Sequence, residues 1–263
     1  MYDFAYQKPT SVADAVKLLG DPEAKALAGG QTLIPVLKQR LNKPSVVVDL
    51  SRLGLAGITV AGGTVTIGAM TPHAAVATSA EIAKAIPALA KLAGEIGDPA
   101  VRHRGTIGGS LANNDPTADY PAAVLALGAT VKTNKREIAA DDYFQGMFTT
   151  ALQPGEIITA VVFPVPEKAG YEKFRNPASR YAMVGVFVAK GPKGVRVTVT
   201  GAGQNGVFRQ TAFEQALAKS WSADALKGIA VSADGLNADI HGSAEYRAHL
   251  VGVIARRAVA AAG

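Results

Sequence analysis

The sequence contains no cysteine. That excludes disulfides, thiolate nucleophiles, thiolate zinc sites and thiolate-held iron–sulfur clusters from this chain. A redox role would need a bound organic cofactor, and any iron–sulfur centre would belong to another chain. Long apolar runs are also missing, and no stretch reaches the roughly 18 residues that span a bilayer. The opening segment Met1 to Pro9 lacks the basic-then-apolar layout of a signal peptide, so a cytoplasmic location without a membrane span is expected. The net charge of +6 suits an acidic partner chain or an anionic cofactor as well as nucleic acid. However, Lys and Arg are scattered, and no basic run is interleaved with aromatics, so nucleic-acid binding is not expected. His73, His103, His241 and His249 form no metal-binding spacing, and no G-x-S-x-G elbow supports hydrolase chemistry.

What is present reads as an α+β protein. The 263 residues suffice for one large domain or for two to three smaller parts sharing a core. Thr10 or Ser11 is placed to cap a first helix whose apolar stripe is Val12, Ala15, Val16 and Leu19. A strand over 24–28, a glycine turn, a helix over 33–40 and a strand over 46–50 then form a βαβ-like unit. From Gly54 the pattern becomes mixed. Two short strands lead to a helix expected to be capped by Thr71 with Pro72 at its first position, and a helical stretch over 81–97 is interrupted at Pro87. Asp98-Pro99 reads as a loop opening, 122–127 as helix, 129–138 as a hairpin and 156–163 as a strong strand. A third region is β-rich over 183–190 and 195–200, then helical over 210–219 and 245–262. The expected parts are 1–54, 55–176 and 177–263.

The sharpest local features are Ala28-Gly29-Gly30-Gln31-Thr32-Leu33 and Gly105-Thr106-Ile107-Gly108-Gly109-Ser110-Leu111. Paired glycines just ahead of a possible helix let backbone N–H groups converge on one concave space, where an anion would be favoured. Thr32, Thr106 and Ser110 add hydroxyl donors, and two such loops could hold a pyrophosphate from both sides. Either loop alone would equally be a tight turn. Neither is a P-loop, because no Lys-Ser or Lys-Thr follows the glycines. Gly201-Ala202-Gly203-Gln204-Asn205-Gly206 matches G-x-G-x-x-G after a strand, but no clear second strand ending in Asp or Glu follows about 20 residues on, as a Rossmann unit requires. Asp115 and Asp119 read as capping or exposed acids, and Phe174 and Tyr181 as core aromatics that could also pack on a flat ring.

Together these segments resemble one family. Residues 28–40, AGGQTLIPVLKQR, and 101–128, VRHRGTIGGSLANNDPTADYPAAVLALG, are similar to the two FAD motifs of the medium, FAD-binding subunit of molybdenum hydroxylases. GAGQNGVFR at 201–209 and DIHGSAEYRAHLVGVIARRA at 239–258 resemble segments of that family's C-terminal domain. The resemblance spans almost the whole chain and implies a two-part FAD-binding domain of the PCMH type followed by a smaller C-terminal α+β domain. It further implies FAD in a cleft between 1–54 and 55–176, with Ala28, Gly29, Gly30, Gln31, Thr32, Thr106, Ile107, Gly108, Gly109 and Ser110 at the phosphates. By the same resemblance Asp119 lies near the cofactor, Ile157 and Ile158 beside the flavin ring, Arg175 at a basic position that is often Lys, and Tyr181 near the flavin side of the cleft. Departures fall at His103, where many relatives have Asn, at Asn113-Asn114, where Ala-His is frequent, and at Arg180, where Asp is common.

The implied activity is that of an oxidoreductase subunit needing no general acid or nucleophile of its own. The implied partners are a large molybdenum-cofactor subunit and a small subunit with two [2Fe–2S] clusters, in a dimer of heterotrimers, with an external electron acceptor. The alternatives left open are a standalone FAD-dependent oxidoreductase, an NAD-binding module on the Gly201–Gly206 motif and a subunit without cofactor.

Overall fold

The computed structural model describes residues 1–263. Its first part contains β1 (Ala5–Gln7), α1 (Val12–Leu18), β2 (Lys25–Leu27), α2 (Leu33–Lys38) and β3 (Val46–Asp49). The strands lie parallel in the order β1-β3-β2. Ser11 starts α1: its hydroxyl accepts the Asp14 N–H at 3.1 Å and donates to the Asp14 carboxylate at 2.6 Å. The expected β-α-β unit is β2-α2-β3. Strand β1 escaped the sequence reading because all three of its residues are exposed, so no apolar pattern marks it.

The second part runs through β4 (Ile58–Ala61), β5 (Thr64–Gly68), α3 (His73–Thr78), α4 (Ala80–Ala85), α5 (Pro87–Gly94), α6 (Pro99–Arg104), α7 (Ile107–Asn113) and α8 (Tyr120–Ala126). It continues with β6 (Thr130–Thr133), β7 (Glu137–Ala139), α9 (Ala140–Tyr143), β8 (Phe144–Gly146), β9 (Thr149–Thr150) and β10 (Ile158–Pro164). An antiparallel sheet in the order β4-β5-β10-β6-β7 carries one apolar face. Val65 and Ile67 alternate with half-buried threonines along β5, the period-two pattern of a sheet with one buried side. They pack with Val131, Val161 and Phe163 against Ile82, Leu89, Leu92, Ile107 and Leu111 of the helices.

The structure departs from two local expectations. Thr71 does not cap α3, because Pro72 is extended at φ −64°, ψ 149° and itself takes the cap position. The Thr71 hydroxyl instead accepts the Gly57 N–H at 2.9 Å and donates to the Gly57 carbonyl at 3.1 Å. Asp98-Pro99 opens a helix rather than a loop: the Asp98 carboxylate accepts the Val101 N–H at 2.9 Å, and Pro99 fills the first helical position, where no N–H is needed.

The third sheet is β11 (Lys168–Arg175), β12 (Ala182–Gly191), β13 (Gly194–Thr200) and β14 (Phe208–Arg209), antiparallel in that order, with α10 (Thr211–Lys219) and α11 (Ala244–Ala261) beside it. Its strands therefore begin at Lys168, ahead of the expected boundary at 177. Tyr171, Phe187 and Ala189 join the core of the second part, while Val184, Val186 and Val188 face Phe213, Leu250, Val251 and Ile254. Burial on both faces explains the unbroken apolar run of β12. A Cβ at Gly170 would collide with the Ala258 carbonyl, so glycine is what lets α11 lie directly on β11. The G-x-G-x-x-G segment leads from β13 into β14, its antiparallel neighbour, with no crossover helix between them. That topology is not a Rossmann unit. No helix is long and apolar enough to cross a membrane.

Candidate functional site

A cleft of about 570 Å³ brings the two glycine loops together. It is lined by Ala28, Gly29, Gly30, Gln31 and Thr32 from the turn between β2 and α2, and by Thr106, Gly108, Gly109 and Ser110 at the start of α7. Asp119, Ile157, Ile158 and Tyr181 complete the set of expected residues that line it. Ile107 and Arg175 do not. Ile107 is fully buried beneath the loop as part of the core. The Arg175 side chain is 53% exposed and lies 3.9 Å from Glu95.

Backbone contact fixes how close the loops come. A Cβ at Gly29 would run into the Arg104 carbonyl and lie 2.7 Å from the Gly105 Cα. Gly30 holds φ +75°, a left-handed conformation that glycine adopts without strain. The second loop is stitched to the end of β5: the Gly108 N–H donates to Ala69 O at 2.9 Å, and the Ile107 N–H to Thr71 O at 3.2 Å. The Thr106 hydroxyl accepts the Gly109 N–H at 3.1 Å. In contrast, the N–H groups of Gly29, Gly30, Gln31 and Thr32 have no partner in the protein, and the hydroxyls of Thr32 and Ser110 make no hydrogen bond. Unpaired N–H groups and hydroxyls in a cleft lining can donate to an anion bound there.

Leu152, Ile157, Ile158 and Phe148 add an apolar part to the lining. Asn114, one of the departures noted above, explains how Phe148 gets there. Asn114 ends α7 in the left-handed conformation at φ 44°, which asparagine tolerates better than most residues. Its side-chain N–H groups donate to Gly146 O at 2.8 Å and Thr149 O at 2.9 Å, and its backbone carbonyl accepts the Phe148 N–H at 3.1 Å. The β8–β9 hairpin is thereby clamped beside the cleft. Asn114→Ala is expected to destabilise the chain by about 1–3 kcal/mol, since two partly buried hydrogen bonds to the hairpin are lost. A thermal melt unchanged from wild type would contradict that clamp.

Asp119 was expected to lie near a cofactor or to cap a helix. It occupies the cap position of α8 but makes no capping bond. Its carboxylate instead accepts from Lys173 Nζ at 2.9 Å and from the Tyr171 hydroxyl. Lys173 also donates to Glu95 O at 2.9 Å, and its side chain is wholly buried. Burial pushes the Asp119 carboxyl above the usual carboxylate range, with Lys173 and Tyr171 opposing the rise. The basic residue at this site is thus Lys173, two positions before Arg175. The remaining departures lie at the rim or outside: Asn113 lines the cleft, Arg180 adopts φ +63° just before Tyr181, and His103 is exposed on α6.

Glu156 and His73 also line the cleft, and the sequence reading assigned neither a role there. Burial opposes ionisation of Glu156, but hydrogen bonds from Arg136, the Gln153 N–H and Thr133 outweigh it and hold its pKa down to about 2. This carboxylate fixes the loop that delivers Ile157. Its folded pKa is lower than its unfolded value, so its contribution is present above about pH 4.5 and is lost as pH falls towards 2. Glu156→Gln is therefore expected to flatten the acid limb of the melting-temperature profile between pH 4.5 and 2. An acid limb as steep as in wild type would sink this assignment.

Comparison with known proteins places this geometry in a family. The family model described as the FAD binding domain in molybdopterin dehydrogenase matches residues 2–166. The chain belongs to that family of FAD-binding oxidoreductase components. Along its whole length it is similar to separate medium subunits. It is 38% identical over 275 residues to the carbon monoxide dehydrogenase medium chain of Afipia carboxidovorans, covering 97% of this chain and 95% of that one. It is 36% identical over 273 residues to the nicotine 6-hydroxylase medium subunit of Paenarthrobacter nicotinovorans, covering 98% and 96%. Its fold matches a chain of reconstituted CO dehydrogenase from Oligotropha carboxidovorans with a TM-score of 0.91 at 36% identity, covering 99% and 97%. The residues fit FAD: unpaired N–H and hydroxyl donors for a pyrophosphate and an apolar wall for a flat ring share one cleft.

Proposed function

We propose that this chain is the electron-transfer subunit of a molybdenum-containing hydroxylase, taking electrons from [2Fe–2S] clusters on a partner and delivering them to an external acceptor. The observation that carries this reading is the run of unpaired N–H groups from Gly29 to Thr32 in the cleft, in a chain matched end to end by medium subunits. The full assembly would add a large molybdenum-cofactor subunit and a small [2Fe–2S] subunit, as a dimer of heterotrimers in the cytoplasm.

FAD, when bound, supplies chemistry that couples one-electron and two-electron steps. The protein's residues do the rest. Gly29 to Thr32 donate backbone N–H groups to the pyrophosphate, and Thr32, Thr106 and Ser110 add hydroxyls. Ile157 and Ile158 keep water from the ring, and Tyr181, 49% exposed, stands at the cleft mouth where an acceptor would arrive. The buried Asp119–Lys173 pair holds two opposite charges beside the cofactor, so the local field is set by their balance.

The first test is an absorption spectrum of the purified chain with mass identification of what heat releases, followed by mixing with the two candidate partner subunits. Flavin bands with released FAD, and bleaching of those bands only when both partners and substrate are present, are expected. A colourless chain that takes up no added FAD would refute the cofactor site, and bleaching by a small substrate without partners would refute the subunit role.

A further inference from the structure

One buried side chain at the cleft remains without a partner. His73, the first residue of α3, is 5% exposed, lines the cleft and makes no side-chain hydrogen bond. Its backbone N–H donates to Gly105 O at 2.9 Å, so it is tied to the same glycine whose Cα a Cβ on Gly29 would meet. One edge of the ring lies against Tyr120, with centroids 5.3 Å apart, and Nδ1 is buried with no partner. The Nε2 edge lies against Gly105, where a Cβ would come within 2.6 Å of Nε2, and Gly105 itself lines the cleft.

Burial, helped by the charge of Arg102, lowers the His73 pKa to about 4, so the ring is neutral near pH 7. A neutral imidazole carries one proton. An orphaned buried N–H is rarer in proteins than an under-satisfied acceptor. With Nδ1 buried and partnerless and Nε2 beside the lining glycine, we assign the proton to Nε2 and leave Nδ1 as the bare acceptor. Nε2–H is then a side-chain donor in the same cleft lining as the unpaired N–H groups of the first loop.

We propose that His73 is a positioning residue for FAD, donating a hydrogen bond from its neutral Nε2–H to the pyrophosphate of the cofactor. The proposal rests on reading this cleft as the FAD site. It also explains Gly105, since any side chain there would displace the ring.

The experiment uses the full chain stripped of flavin and its His73→Phe and His73→Gln variants. Phenylalanine keeps the ring against Tyr120 but has no donor, whereas glutamine keeps a donor at similar reach. Loss of a hydrogen bond to a charged group weakens binding about ten- to a hundredfold. His73→Phe is expected to bind FAD weaker by that factor while riboflavin, which lacks phosphate, binds as in wild type. His73→Gln is expected to retain most of the FAD affinity. In wild type labelled with ¹⁵N-histidine, the Nε2–H signal is expected to move on adding FAD and to stay on adding riboflavin. Wild-type FAD affinity in His73→Phe, equal loss of FAD and riboflavin, or an unmoved Nε2–H signal in a chain that binds FAD would each overturn the proposal. Failure of wild type to take up FAD would instead overturn the cofactor site itself, so the two failures are distinct.

Discussion

Gly29→Ala is expected to yield a folded, colourless chain whose affinity for FAD is lower by at least about a hundredfold, because several charge-assisted hydrogen bonds are lost together. The added Cβ would meet the Arg104 carbonyl and the Gly105 Cα, both backbone. No rotamer change relieves such a clash. The second loop cannot retreat cheaply, since Gly108 is bonded to Ala69 O at 2.9 Å and His73 to Gly105 O at 2.9 Å. The first loop must therefore lift away, carrying the unpaired N–H groups of Gly29 to Thr32 out of register with the hydroxyls of Thr106 and Ser110. Gly252→Ala is the control: it lies within α11 with only ordinary contact, 3.6 Å from Arg256, and alanine favours helix. The flavin-to-protein ratio after purification and a titration of stripped chain with FAD measure both variants. Stoichiometric flavin in Gly29→Ala would show that the loops do not clamp the cofactor as a pair.

That contact between Gly29 and Gly105 also marks the limit of what the sequence displays. Each glycine pair is a visible turn, because glycine runs and flanking hydroxyl residues have few other uses. That the two turns touch was inferred from family resemblance, since 76 positions separate them and no periodicity connects them. Elements with strong patterns were legible: the alternation of β5, the apolar run of β12 and the stripe of α11. Elements marked by their partners were not. Exposed β1 is a strand only because it pairs with β3, and β11 reads Lys168-Ala169-Gly170-Tyr171-Glu172-Lys173, with neither alternation nor an apolar run. The same reason hid the buried polar residues. Lys173 and Glu156 are types that usually face water and His73 a type of intermediate burial, and the burial of each depends on a distant partner or wall that composition does not reveal. Arg175 was expected from family resemblance alone; Lys173, two residues earlier on β11, is the residue that reaches Asp119, and no local pattern marks it.

Lys173→Met is expected to lower stability by about 3–5 kcal/mol, the usual consequence of leaving one member of a buried ion pair alone. The melting temperature would fall by about 6–20 °C for a chain of this size. The Lys173 side chain is wholly buried, and that of Asp119 is 4% exposed, so water cannot replace the lost ammonium. Asp119 would keep only the Tyr171 hydroxyl, and burial would drive its carboxyl further towards the protonated form. Asp119→Asn removes the opposite charge, and the double variant removes both. Because the pair acts as a unit, the double variant is expected to be more stable than the sum of the single losses predicts. The same cycle reads the site, because Asp119 lines the cleft. Reduction of a flavin adds negative charge, so an uncompensated ammonium in Asp119→Asn should raise the reduction potential of bound FAD. An uncompensated carboxylate in Lys173→Met should lower it at high pH, with the shift fading at pH values where Asp119 takes up a proton. Potentials equal to wild type in both variants across that pH range, alongside the stability losses, would make the pair a structural anchor with no hold on the cofactor.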